Sequence, residues 1–219
     1  EKIQGTKDDC FSRKSEKLWR DSADMKIAII MLRLETAAVS ALISCCMRFW
    51  ESLCSAIFWI LYMMCRKTGN SCPGEPESCL EVSVVTQYDF IAEQAEKYGF
   101  RVYHNLAPER GISSSVRIGL EANQEADAAL FCVADQPWLS GQTIGGLIHA
   151  CIRGEKGIVC ASDGTHMGNP CIFRKKYFGE LGLLTGDKGG KKVVLSHPDD
   201  VEIYQVAADR ELLDIDYKV

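Results

Sequence analysis

The feature that most constrains this chain is an apolar run, Ala128–Val133, followed directly by the residues A-D-Q-P. An unbroken apolar run of this length is typical of a strand buried on both faces of a parallel sheet. Pro137 ends the run, so Asp135 is predicted to face the crevice where open α/β sheets bind ligands. A carboxylate is the hard oxygen ligand that Mg²⁺ prefers beside phosphate. In an isolated D-Q-P the aspartate more often caps a turn. The other motifs of the chain are therefore needed to choose between a metal ligand and a turn residue.

From residue 80 onwards the hydrophobic pattern alternates between strands and helices. A first buried strand is also predicted earlier, over 26–31. Further strands are predicted over 81–86, 101–104, 128–133, 157–161, 171–173 and 201–206, and helices over 89–98, 113–123, 141–152, 175–184 and 188–196. The three serines at 113–115 are predicted to cap their helix. The alternation predicts an α/β fold with a mostly parallel mixed sheet covered on both faces.

Four further motifs accompany Asp135 in a fixed order. They are G-I-S-S-S-V-R-I-G-L at 111–120, G-N-P at 168–170, G-D-K-G-G-K at 186–191 and L-D-I-D at 213–216. This succession resembles the MobA-like nucleotidyltransferases, and most closely the molybdenum cofactor cytidylyltransferase branch. The resemblance extends over roughly residues 80–217.

The resemblance implies a three-layer, Rossmann-like nucleotidyltransferase fold and a definite reaction. CMP would pass from CTP to the phosphate of a molybdopterin-type cofactor, with release of pyrophosphate and with Mg²⁺ as the cofactor. A molybdoenzyme that accepts the product is an implied partner. A guanylyl or sugar-nucleotide transferase, or a catalytically silent domain of the same fold, are the alternatives.

The resemblance also assigns roles to individual residues. Asp135 would be catalytic and would hold the metal, and Asp216, or Asp214 beside it, would be the second metal ligand. Three residues would contact the base or ribose of the nucleotide: Ser113, Ser114 and Arg117. Five would line the acceptor pocket: Asn169, Pro170, Gly186, Asp187 and Gly189.

The family's glycine-rich loop, L-A-A-G-x-S-x-R-[MF]-G-x-x-K, is absent after the first predicted strand. Its amides and lysine would cradle the triphosphate. No glycine occurs between Lys26 and Lys67. The apolar runs in this part of the chain, 37–47 and 55–65, are shorter than the roughly 20 residues that a membrane helix needs, so no membrane partner is expected.

The codons for residues 35–60 offer an explanation for the missing loop. Allowed codons, read one nucleotide earlier, give G-N-S-R-R-F-G-S-N-K-L-L-Y-E-V-L-G-K-P-M-F-C-H-L-L-D. This reading contains the family's loop, its lysine and the G-K-P that begins the next segment. We therefore hypothesise that the segment 32–79 is translated out of frame; a divergent hydrophobic insert is the alternative.

Composition is that of a cytoplasmic enzyme domain. The 219 residues are enough for one domain with a sizeable core, and the net charge of −5 argues against a nucleic-acid partner. The 11 cysteines form no C-x-x-C pair, so they are interpreted as reduced and mostly incidental. We expect residues 1–24 to be a leader or disordered, and 25–219 to form a single domain in which 32–79 is atypical.

Overall fold

A computed structural model describes residues 25–32 and 80–214. The predicted leader, most of the atypical segment and Asp216 lie outside these residues. The described ranges include the first predicted strand, the motifs from 111 to 191 and the beginning of the L-D-I-D motif.

The centre of the fold is a seven-stranded sheet. Its strands are β1 (Ile27–Leu32), β2 (Leu80–Thr86), β3 (Arg101–His104), β4 (Ala128–Val133), β5 (Ile158–Ser162), β6 (Met167–Arg174) and β7 (Val201–Gln205). Their order across the sheet is β3-β2-β1-β4-β6-β5-β7. Among these described strands only β6 is antiparallel to its neighbours, so the predicted mostly parallel mixed sheet is confirmed.

Helices cover both faces of the sheet and give the predicted three layers. They are α1 (Asp89–Lys97), α2 (Ile112–Ala122), α3 (Gly141–Arg153), α4 (Phe178–Gly182) and α5 (Lys191–Ser196). Apolar side chains of α1 and α3 pack on one face, and those of α2, α4 and α5 pack on the other. Burial of these two faces is the main stabilising contribution to the fold.

The central strands β1 and β4 are buried along their whole length. They pair in parallel, with Leu32 opposite Val133, so their carboxyl ends meet at one edge of the sheet. The chain runs from β1 to β2 and β3 on one side and then returns to β4 on the other. Ligands of open α/β sheets bind at such a reversal of strand order.

Three predicted elements differ from the structure. The helix predicted over 175–184 is a 3₁₀ turn, Lys175–Tyr177, followed by the short α4. The helix predicted from 188 begins only at Lys191, because glycines at 189 and 190 disfavour helical backbone. The strand predicted over 171–173 is longer, since Met167 and Gly168 pair with Ser162 and Ala161 at the end of β5.

Within the described ranges no helix has the length and apolar character needed to cross a membrane.

Candidate functional site

A cavity of about 400 Å³ opens at the edge where β1, β4 and β5 end. Its lining joins four stretches that are far apart in sequence: Gln136 after β4, the hairpin residues 163–169, the glycine-rich residues 189–191, and Asp214 near the described C-terminal end. Apolar residues of α2, β4 and β6 form its floor. The cavity therefore combines polar groups from four of the sequence motifs over an apolar base, as small-molecule sites do.

The C-terminal segment is held against the turn that follows β4. The side-chain amide of Gln136 donates a hydrogen bond to Oδ1 of Asp214 at 3.0 Å. Glu211 is buried, and its Oε2 accepts hydrogen bonds from the Ser140 amide at 3.0 Å and from the Thr143 hydroxyl at 2.7 Å, at the beginning of α3. These bonds place Asp214 beside Gln136, the residue that follows Asp135 in the chain. Asp135 itself is buried, with 9% of its surface exposed.

The beginning of α2 contacts the loop at 186–187. The Ser113 amide donates a hydrogen bond to the Gly186 carbonyl at 3.2 Å. Gly111 lies so close that a Cβ atom built on it would stand 2.7 Å from the Gly186 oxygen and would also meet the Asp187 carboxylate. The fold thus brings the motif at 111–120 into contact with the motif at 186–191.

The serines of α2 do not cap the helix, which corrects the prediction from sequence. Gly111 occupies the N-cap position, and no side chain of the described residues caps there. Ser114 and Ser115 are buried and accept hydrogen bonds from the side-chain amide of Asn105 at 2.8 and 2.9 Å. Asn105 follows β3, so these serines fix α2 to the carboxyl edge of the sheet.

The turn between β5 and β6 brings two further polar residues, Asp163 and His166, to the cavity. The backbone amides of His166 and Thr165 donate hydrogen bonds to the Asp163 carboxylate at 2.7 and 2.8 Å. These bonds lower the pKa of Asp163 well below its usual range, so the carboxylate stays ionised.

The cavity lining includes some of the sequence-predicted residues and leaves out others. Asn169, Gly189 and Asp214 line it. The other described candidates are not part of this lining: Asp135, Ser113, Ser114, Arg117, Pro170, Gly186 and Asp187. Asp135 is adjacent in sequence to the lining residue Gln136, and Asn169 and Pro170 are joined by a cis peptide bond.

Sequence reasoning missed Gln136, Asp163, His166, Asn105 and Glu211. The D-G-T-H sequence at 163–166 is typical of a turn, and this pattern could have predicted that Asp163 lies in one. Nothing local marks Asn105 or Glu211, because their partners lie elsewhere in the fold. In the part of the chain that is described, no group of three or more His, Cys, Asp or Glu residues could hold a metal without further ligands.

Solved structures with the same fold include proteins of several kinds. A nucleotidyl transferase from Methanothermobacter is 15% identical, with a TM-score of 0.63 over 88% of this chain and 92% of that chain. Rv0371c from Mycobacterium tuberculosis H37Rv, in complex with manganese, is 20% identical, with a TM-score of 0.53 over 83% and 89%. The 4-diphosphocytidyl-2C-methyl-D-erythritol synthase from Anaerococcus prevotii is 14% identical, with a TM-score of 0.58 over 90% and 92%.

No curated protein matches this chain. The sequence profile of the MobA-like NTP transferase domain, however, matches residues 75–201, which is more than half of the chain. The match begins at residue 75, within the last residues of the atypical segment 32–79, and ends at the first residue of β7. It confirms the resemblance seen in the sequence motifs: this chain belongs to the family of MobA-like NTP transferase domains.

Proposed function

We propose that this domain is a nucleotidyltransferase that transfers CMP from CTP to the phosphate of a molybdopterin-type cofactor and releases pyrophosphate. An oxygen of the acceptor phosphate forms a bond to the α-phosphorus of CTP. The bond between that phosphorus and the oxygen bridging to the β-phosphate breaks, and pyrophosphate carries the electron pair away. Positioning and charge neutralisation account for most of the rate in such transfers.

The observation that carries this proposal is the hydrogen bond between Gln136 and Asp214 at the cavity. It joins the D-Q-P and L-D-I-D motifs, which are separated by most of the C-terminal half of the chain. Two carboxylates, Asp135 and Asp214, thereby lie close to the carboxyl edge of the sheet. Asp216 is proposed as a further ligand, although it lies outside the described residues.

The donor set fits a divalent metal of the Mg²⁺ type. Such ions take one or two protein carboxylates and complete their shell with substrate phosphates and water. When bound, Mg²⁺ would neutralise charge on the triphosphate. The manganese complex of Rv0371c supports a divalent ion in a protein of this fold.

The remaining residues would bind and orient the two substrates. Asn169 and Gly189 line the cavity and would contact the acceptor, the first through its amide and the second by allowing close approach. The exposed Lys191 ammonium would attract the acceptor phosphate. Pro170, Gly186 and Asp187 lie outside the described lining and are proposed to complete the acceptor pocket beside it.

The nucleotide would lie beside α2. Ser113 and Ser114 would contribute there mainly by fixing the helix, given their buried positions and internal hydrogen bonds. The half-buried Arg117 has no described hydrogen-bond partner at its Nε, which leaves this group for a ribose or phosphate oxygen. We propose CTP rather than GTP or a sugar-nucleotide precursor because the sequence motifs most closely resemble the cytidylyltransferase branch. The diphosphocytidyl product in the name of the Anaerococcus protein supports the same choice.

A catalytically silent domain is the second candidate. It is favoured by one observation, the lack of any glycine between Lys26 and Lys67, where the triphosphate loop is expected. For either candidate we propose a cytoplasmic protein without nucleic-acid or membrane partners, and for the active enzyme a molybdoenzyme that receives the product.

Calorimetric titration of the full chain with CTP, with and without Mg²⁺, tests the proposal. We expect Mg²⁺-dependent binding that is weakened about tenfold or more by Asp135→Asn and by Asp214→Asn, because each removes a charged ligand. The control is Asp209→Asn, which changes an exposed carboxylate outside the cavity lining. Pyrophosphate release in the presence of a molybdopterin phosphate then measures transfer.

Binding of GTP in preference to CTP would overturn the choice of nucleotide. Absence of any Mg²⁺-dependent nucleotide binding would favour the silent domain for this chain. Binding that is unaffected by both carboxylate substitutions would refute the proposed metal ligands.

A further inference from the structure

Two cysteines face each other across neighbouring strands in the wall of the cavity. Cys160 on β5 and Cys171 on β6 are direct partners in the antiparallel pairing, and their sulfur atoms are 2.7 Å apart. Both side chains are on the same face of the sheet, among residues of the core beneath α4 and α5. Both also line the cavity.

This spacing suits a direct sulfur–sulfur bond better than a shared metal ion. Directly opposite residues of an antiparallel pair have Cα atoms about 4.5–5.5 Å apart, which is within the range that disulfides span. A tetrahedral metal with bonds of about 2.3 Å to each sulfur would hold the two sulfurs about 3.8 Å apart. The pair is therefore too close to chelate such an ion without moving the strands.

The surroundings make the two thiols chemically different. The hydrogen bond shared with Cys171, and to a lesser degree the Gly168 backbone and the charge of Lys191, lower the pKa of Cys160. The same hydrogen bond, together with burial, raises the pKa of Cys171. A thiolate is the attacking form of a cysteine, so Cys160 is the nucleophile of the pair and Cys171 the thiol that resolves it.

The other two described cysteines lack this arrangement. Burial raises the pKa of Cys151 to about 11 and that of Cys132 well above its usual range. Among the described cysteines, the only short sulfur–sulfur contact is the one between Cys160 and Cys171. They are buried thiols of the kind that remain inert.

We propose that Cys160 and Cys171 are an oxidation site: hydrogen peroxide that enters the cavity converts them to a reversible cross-strand disulfide. The Cys160 thiolate attacks the peroxide oxygen, which breaks the O–O bond, leaves a sulfenic acid and releases one water after protonation. The Cys171 sulfur then attacks the sulfenic sulfur and the second water leaves. Two thiols lose two electrons and two protons in total, and hydrogen peroxide is reduced to two waters. A dithiol reverses the bond by exchange.

The disulfide would tie the two ends of the hairpin that carries Asp163 and His166. The Gly168 carbonyl oxygen, which lies 3.3 and 3.1 Å from the two sulfurs and accepts hydrogen bonds from the thiols, would lose these donors on oxidation. The oxidised protein would thus present a more rigid cavity wall beside Asn169. This inference concerns the hairpin alone and does not depend on the proposed transferase activity.

Tryptic digestion gives a direct test, because both cysteines fall in one peptide, Gly157–Arg174. The folded chain is treated with hydrogen peroxide, then with iodoacetamide, and is then digested. We expect this peptide to lose two hydrogen atoms and to carry no alkyl group. After dithiothreitol it should carry two alkyl groups. A peptide that is alkylated at both cysteines after peroxide, or linked to another cysteine, would overturn the proposal.

Matched variants separate the roles of the two sulfurs. Cys171→Ser should leave a sulfenic acid on Cys160 that dimedone traps, whereas Cys160→Ser should leave Cys171 unoxidised at the same peroxide concentration. Cys151→Ser, a buried cysteine on α3, should form the disulfide at the unchanged rate. Dimedone labelling of Cys171 in Cys160→Ser at the rate seen for Cys160 would refute the assignment of the nucleophile.

Unfolding provides a second readout that does not rely on variants. The native fold holds the sulfurs together, so disulfide formation within the peptide should be at least about tenfold faster in buffer than in concentrated urea. Equal rates in the two conditions would show that the strand pairing does not promote the bond, and would overturn the proposal.

Discussion

Gly111 is the residue beside the site at which backbone conformation and close contacts most restrict substitution. Its backbone has φ of +78° and ψ of −177°, a conformation that is essentially restricted to glycine. The Gly186 carbonyl oxygen would stand only 2.7 Å from a Cβ atom at this position. A side chain here meets both backbone strain and a collision with backbone that cannot rotate away.

We therefore expect Gly111→Ala to lower the free energy of unfolding by about 2–4 kcal/mol, the sum of strain and overpacking. Urea unfolding followed by circular dichroism measures the change. Gly179→Ala is the matched control: this glycine lies in α4 and nothing stands within 4 Å of its Cβ position. Equal stability of the two variants would contradict the close contact between α2 and the 186–187 loop.

Single residues were predictable where the chemistry is local. Asp135 follows β4 as the apolar run before it required. The role of the serines was predicted wrongly, because serine before a helical pattern normally signals a cap, whereas here Asn105 from another element binds Ser114 and Ser115. The sequence does not show which distant residues become neighbours in the fold. A tertiary hydrogen bond can therefore replace the local cap without any sequence pattern that indicates it.

Two strands have the bounds that the sequence predicts: the fully buried β4 and the partly exposed edge strand β3. Prediction was poorest for 175–196, where short turns and glycines divide the helices. The family profile matches the chain from residue 75, and the out-of-frame origin of the segment 32–79 stays a hypothesis.

The hypothesis of an out-of-frame segment yields a prediction for the connection between β1 and β2. Replacing 35–60 by G-N-S-R-R-F-G-S-N-K-L-L-Y-E-V-L-G-K-P-M-F-C-H-L-L-D restores a glycine-rich loop and a lysine directly after β1. Backbone amides and a lysine ammonium would then be available to the triphosphate. We expect the affinity for CTP with Mg²⁺ to increase about tenfold or more, measured by calorimetric titration.

The matched control for this replacement is the same loop with its lysine changed to alanine. It should lose most of the gain in affinity while keeping the glycines. A repaired chain that binds CTP no better than the original would contradict the frame hypothesis. So would an encoding DNA sequence whose bases at 35–60 do not give the family's loop when read one nucleotide earlier.

At the scale of the whole molecule, the class of fold was predictable but the order of its strands was not. Alternating strands and helices require a layered α/β arrangement. The insertion of antiparallel β6 between β4 and β5 depends on pairings that run across the sheet, such as Phe131 with Cys171. That insertion positions the turn at 163–166 and the cysteine pair at the cavity, which is why neither was visible in the sequence.

An ionic cluster around Asp200 connects parts of the molecule that lie far apart in the chain, and it makes global stability depend on pH. The Lys176 ammonium lies 2.6 Å from Oδ2 of Asp200, the Tyr177 hydroxyl donates to the same oxygen at 2.6 Å, and the Gly157 amide donates to Oδ1 at 3.0 Å. Lys176 and Tyr177 are the main groups that lower the pKa of Asp200 well below its usual range. Burial, and then the bond to Asp200, raise the pKa of Tyr177 to about 12.

The sign of the dependence follows from these directions. A carboxyl whose pKa is lower in the folded than in the unfolded state stabilises the fold above about pH 4, and this contribution is lost as the pH falls further. Asp200→Asn should therefore cost about 1 kcal/mol at pH 7, a modest value because the side chain is 28% exposed and solvent screens its charge. The cost should shrink towards pH 2, because the unfolded chain then binds a proton at Asp200 that the folded state must release. Urea unfolding at both pH values measures it, with Asp199→Asn as the exposed neighbouring control. An Asp200→Asn deficit that is the same at pH 2 and pH 7 would show that the charge of this group does not hold the β5 and β7 ends together.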